Sequence, residues 1–335
     1  MSLPRRGTWP FILLFLCLAV PRAAAAGGPA FEADVPPFHF RSGFWTNLHH
    51  FLYQEALRAP RPGGPGEGGL PAEKLTADEQ RAWSAALEHY RRNLIRRDLL
   101  FDSELVAIDT ALSAAAGQAS LRGAGVPSGL TAVLESAAPV YRAHWWAAHD
   151  RANRFWIAAA TPLVEQLGAK MVEQMTAAYQ DTWPAKPVLV DVAVYANWAG
   201  AYTTGHDPVH TILSSTNSSY QGYAALEMLF HEASHGVADR QSPIYIALER
   251  EYRSRGRSLP YELIHTIIFY TAGELARRNL AGVGVSDYVP CAERIGVYLR
   301  LGQSYKDAVE LFWQRRLDGK LDIGGAAARL AAALE

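Results

Sequence analysis

Residues 188–235 read VLVDVAVYANWAGAYTTGHDPVHTILSSTNSSYQGYAALEMLFHEASH, and this stretch decides the fold. Val188 to Ala196 is rich in β-branched residues and alternates, which predicts a strand. Ala199 to Thr204 and His210 to Ser215 predict two more. Residues 216–222 (TNSSYQG) are turn-forming. From residue 223 to 238 the apolar spacing becomes helical, and Tyr223 to Phe230 contains neither Pro nor Gly. The chain thus places a small sheet directly before one helix.

Helices are expected on both sides of this block. Upstream, residues 38–58 space Phe44, Leu48, Phe51, Leu52 and Leu57 along a helix face. Residues 59–71 (APRPGGPGEGGLP) are Pro and Gly punctuation and predict a loop. Residues 76–116 predict one or two amphipathic helices, with Trp83, Leu87, Tyr90, Leu94 and Ile95 as the apolar stripe. Residues 129–180 are again helical, ended by Pro184 and Pro187. Downstream, residues 243–254, 259–279 and most of 286–333 predict helices. Without repeating βαβ units, the expected class is α+β and mainly helical. An antiparallel or mixed sheet precedes the decisive helix, and the C-terminal part is helical. The expected organisation is a helical region over 27–180 and a catalytic region over 181–335.

Composition narrows the function. Lys plus Arg is 32 and Asp plus Glu is 33, a net charge of -1, which argues against a nucleic-acid-binding surface over the whole molecule. Charged residues are 19% and hydrophobic residues 49%, values of a folded chain. Arg5 and Arg6, the apolar run Phe11 to Val20 and the small residues Ala23 to Ala26 predict an export signal over 1–26. Its removal takes three arginines and no acids, so the charge moves from -1 to -4. No other run is long and apolar enough to predict a membrane span. Exported protein, periplasmic or secreted, is the expectation. Only Cys291 then remains, so no internal disulfide is expected. A nucleophilic role for it has no flanking signature.

Residues 231–235, His-Glu-Ala-Ser-His, form H-E-x-x-H. On a helix, His231 and His235 lie one turn apart on one face. Two imidazoles so placed can hold a single Zn²⁺. Glu232 lies about 100° round the helix, off the ligand face but within reach of a water on the metal. Leu226, Leu229 and Phe230 predict burial of this helix, where two histidines and a glutamate without a joint task would be costly.

This pattern resembles the zincin metallopeptidases, and in its order of elements the thermolysin-like gluzincins. The likeness covers residues 231–235 and their surroundings, not the N-terminal half. It implies hydrolysis of a peptide or protein substrate, with Glu232 as general base and the strand around His210 to Ser215 pairing with the substrate. It also implies a third ligand, a glutamate on a later helix. The metzincin position six residues after His235 is Gln241, which excludes that subclass. Glu274, in the apolar stripe Leu263 to Leu275, is the favoured ligand, with Glu262 as alternative and a salt bridge to Arg277 or Arg278 as the competing role. Asp239 reads as a support for His235, and Glu249 and Glu251 as a solvated charged face. The resemblance implies a Tyr or His oxyanion donor, for which Tyr270, His265 and Tyr288 are candidates. A zinc hydrolase of a non-peptide substrate and a binding protein with a vestigial zinc site are the alternatives. His49 with His50, and Trp145 and Trp146 with His144 and His149, read as core or surface groups. Asn217-Ser218-Ser219 matches a glycosylation acceptor.

Overall fold

The computed structural model describes residues 30–58, 75–205 and 207–334. The expected export signal and the loop over 59–71 lie outside the described residues. The chain begins with strands β1 (Phe31–Val35) and β2 (Phe38–Ser42). Helices α1 (Phe44–Leu57), α2 (Ala77–Asn93), α3 (Ser103–Ala114), α4 (Ser128–Tyr141) and α5 (Ala147–Tyr179) follow. Then come β3 (Val188–Ala193), β4 (Ala201–Thr204), β5 (His210–Ser214) and α6 (Tyr223–Ser234). Two further helices are α7 (Pro243–Ser254) and α8 (Tyr261–Gly282). The C-terminal part holds α9 (Cys291–Arg294), α10 (Val297–Leu301), α11 (Gln303–Ala308), α12 (Gln314–Leu317) and α13 (Ile323–Ala333). The α+β class is as read from the sequence.

The segment 38–58 is not one helix. Residues 38–42 (FHFRS) alternate buried and half-buried positions, pair with β3 in parallel, and turn into α1 at Gly43. Period-two burial against a ready neighbouring strand outweighs the helical spacing that begins only at Phe44. The segment 76–116 is two helices. Thr76 and Glu79 form a reciprocal cap at the start of α2, and Asp102 accepts from the amides of Glu104 and Leu105 to start α3.

The five strands run in the order β1-β2-β3-β5-β4. The β2–β3 and β3–β5 pairs are parallel, and the β1–β2 and β4–β5 pairs antiparallel, so the sheet is mixed. Alternation sends its side chains into two apolar cores. Val188, Val190, Val192 and Leu213 pack with α5, α6 and α8. Val194, Tyr202 and Ile212 pack with α1 to α4. Each fully buried Leu or Phe contributes about 1.5–3 kcal/mol. The segments drawn on either side of residue 180 therefore share one sheet, and α5 belongs to the same core as α6. Among the described residues no helix is long and apolar enough to cross a membrane.

Candidate metal centre

Helix α6 is buried along nearly its whole length, from Ala224 to Ser234. Its C-terminal turn lies against the start of α8, and there three imidazoles meet. The ring centroids of His231 and His235 are 5.1 Å apart. His265, in the second turn of α8, lies 5.4 Å from the first and 5.3 Å from the second. One nitrogen from each ring can be chosen so that all three lie within 4.8 Å of one another. A tetrahedral Zn²⁺ with bonds of about 2.0–2.1 Å would hold its nitrogens about 3.3 Å apart, so the three rings would draw closer on closing round one.

Phe269 stacks on His231 at 3.8 Å and lies 4.7 Å from His265, limiting the rotation of both rings. Burial lowers the pKa of His235 to about 4 and that of His265 to about 3, and it depresses that of His231 as well. All three rings are thus neutral near pH 7, the state that can donate a lone pair to a metal. Among the described residues no protein group hydrogen-bonds any of these rings, and Nδ1 of His231 is buried without a partner. Three neutral, convergent imidazoles without protein partners fit a divalent metal.

Glu232 points into the same cavity, whose volume is about 630 Å³. The Thr203 hydroxyl of β4 lies 2.8 Å from Glu232 Oε2 and 2.9 Å from the Glu232 carbonyl oxygen. Burial pushes the carboxyl pKa up to about 7, against the lowering effect of Thr203. A carboxylate with that value can both accept and return a proton near neutrality.

Of the residues expected at the site, the structure brings together His231 and His235, expected as metal ligands, and His265. Glu274 does not join them. Its carboxylate accepts from Arg277 at 2.8 Å and Arg278 at 2.6 Å, and it lines a second cavity with Tyr270, Glu293 and Glu310. The reason is helical phase: nine residues turn a helix about 900°, so 265 and 274 face opposite ways. Glu262 is exposed, one turn before His265. Tyr270 donates to Gln314 at 2.6 Å and faces the second cavity, and Tyr288 donates to Glu227 at 2.5 Å; neither lines the cavity that holds the three histidines. His265, expected as a donor, stands with His231 and His235 in a group that could hold a metal ion.

The other singled-out groups have local tasks. Asp239 accepts from the amides of Gln241 and Ser242, while Glu249 and Glu251 pair with Arg253 and Arg255. His49 and His50 are buried beside Asp109, and Trp145 stacks on Trp83 in the second core. His144 bonds Glu79 and His149 bonds Tyr141. Asn217 accepts from the Ser219 amide and lines the cavity. Cys291 is buried, with its thiol pKa pushed up to about 12, the opposite of an activated nucleophile.

Sequence reasoning overlooked Thr203, Phe269 and Tyr261, whose ring lies 5.3 Å from His265. Phe269 and Tyr261 sit at i+4 and i-4 from His265, and that spacing was the available signal. Thr203 carried none, because its partner comes from a different element. The strand beside α6 at the sheet edge is β4, whereas β5 lies between β3 and β4. No family model, curated protein or solved structure matches this chain.

Proposed function

We propose that the protein is a metal-dependent hydrolase, that the metal is Zn²⁺ held by His231, His235 and His265, and that the substrate is a peptide. The convergence of three neutral imidazoles beside the poised carboxyl of Glu232 carries this reading. When bound there, Zn²⁺ would supply Lewis acidity, lowering the pKa of water towards about 7 and polarising a carbonyl. Glu232 takes a proton from the attacking water and returns it to the leaving nitrogen. Thr203 fixes one carboxyl oxygen, leaving Glu232 aimed into the cavity. Tyr261 lines the cavity and its phenol pKa is raised, so it stays protonated and can donate to a developing oxyanion.

The peptide reading rests on β4. Among the described residues it pairs only with β5, which leaves its other side as a sheet edge, and Ala201 to Thr203 line the cavity. An extended peptide can add to such an edge by main-chain hydrogen bonds. This edge replaces the 210–215 strand as the binding element. We also infer export from residues 1–26; the test is the N-terminal mass of the secreted product, which should begin near residue 27.

The deciding experiment is the metal content of purified protein together with peptide-library cleavage. Wild type and Glu274→Ala should each hold one equivalent of zinc, and His265→Ala should lose it. Glu232→Gln should keep the metal and lose at least about a hundredfold in kcat. No metal in the wild type after reloading would sink the reading.

A further inference from the structure

The cavity that holds Glu232 and the three histidines is mostly apolar. Phe101, Trp198, Ile295, Val297 and Leu301 line it, and among the described residues Arg300 is its only Lys or Arg. Phe101 is 69% and Trp198 72% exposed, so the apolar wall continues to the mouth. Among the described residues Arg300 makes no ion pair and no hydrogen bond. Among the described residues Glu232 is the only carboxylate in the lining, and it is held by Thr203. Both charges act on the hydroxyl of Tyr220, which lies within electrostatic reach of each. The side chain of Arg300 is thus an exposed cation at the lining of a mostly apolar cavity, without an ion-pair partner among the described residues.

We propose that Arg300 is a specificity residue that binds a carboxylate of an otherwise apolar peptide substrate. The inference rests on the peptide reading above and names the substrate class for that site. A guanidinium offers paired donors that match a carboxylate, and the apolar surroundings strengthen the pair once substrate excludes water. The carboxylate can be the C-terminus of the peptide or an acidic side chain, since both present the same group. Arg300 itself touches no reacting atom.

The test separates binding from turnover. Calorimetry is run on zinc-loaded, full-length Glu232→Gln with three peptides. These are N-acetyl-Ala-Phe-Leu-Phe as free acid, the same peptide as C-terminal amide, and N-acetyl-Ala-Phe-Leu-Glu amide. The free acid or the Glu peptide should bind about ten- to a hundredfold tighter than the neutral amide, the range of a hydrogen bond to a charged group. Tighter binding of the free acid alone identifies the C-terminus, and of the Glu peptide alone a side chain. The preference should collapse on adding Arg300→Met and survive in part with Arg300→Lys. Arg300 is exposed, and equal melting temperatures confirm that each variant folds. Equal affinity for all three peptides, no binding of any, or a preference that survives Arg300→Met overturns the inference. Cleavage by the protein with Glu232 intact is scored separately. A binding preference without cleavage retires the peptidase reading and leaves the carboxylate site standing.

Discussion

At Glu232 a single hydroxyl tunes the site. Thr203 supplies the only hydrogen bond to this carboxylate among the described residues, and it lowers a pKa that burial has raised. Thr203→Val removes that bond at nearly constant shape. The carboxyl pKa then rises further, so the acidic limb of the kcat/KM profile should move to higher pH. Activity near pH 7 should fall about fivefold, the worth of about 1 kcal/mol. A pH–rate profile checks both. The buried histidines make a second prediction. His149, His235 and His265 have folded pKa values of about 4, about 4 and about 3, all below the ordinary 6.5. Unfolded chains take up these protons first. The stability that the neutral rings contribute is therefore present above about 6.5 and lost as pH falls towards 4 and 3. Each contributes up to about 1.4 kcal/mol per pH unit across its window. Urea midpoints of the metal-free protein should drop between pH 7 and pH 5, and His149→Gln should flatten the drop.

Among elements, the junction of α6 with the β4–β5 connection holds His235 in place. The chain leaves α6 at His235 and passes close to Val209 through Gly236. A Cβ at 236 would lie 2.3 Å from Val209 Cγ2, closer than packed atoms come. Gly236→Ala should cost about 1–3 kcal/mol, because neither the helix end nor the strand entry can yield freely. It should also weaken retention of the proposed zinc by displacing His235, which a chelator competition would read. Helix α8 shows the same economy of space. A Cβ at Gly273 would meet Pro290 Cβ at 2.9 Å and Glu227 Oε1 at 3.3 Å. This close approach packs α8 against Glu227, whose carboxylate accepts from the Tyr288 hydroxyl and the Cys291 amide.

Across the whole molecule, the sheet couples the N-terminal helices to the site. Tyr202, next to Thr203, sends its hydroxyl the other way, donating to Asp109 of α3 at 2.7 Å and lying 2.8 Å from His50 of α1. The edge strand is thereby tied to both cores, and Leu100 and Phe101 extend the N-terminal half into the cavity wall. Tyr202→Phe leaves Asp109 buried without its donor and should cost about 1–3 kcal/mol in thermal unfolding. The sequence by itself determined the α+β class, the strand block, the H-E-x-x-H helix and the roles open to His231, Glu232 and His235. Those follow from periodicities of two and 3.6 residues, which are local. The third histidine, the pairing of Glu274 with two arginines, the strand at 38–42 and the edge position of β4 were decided only by the tertiary structure. Each depends on which face of one element meets another, and spacing within a single element carries no information about its phase against a partner far along the chain.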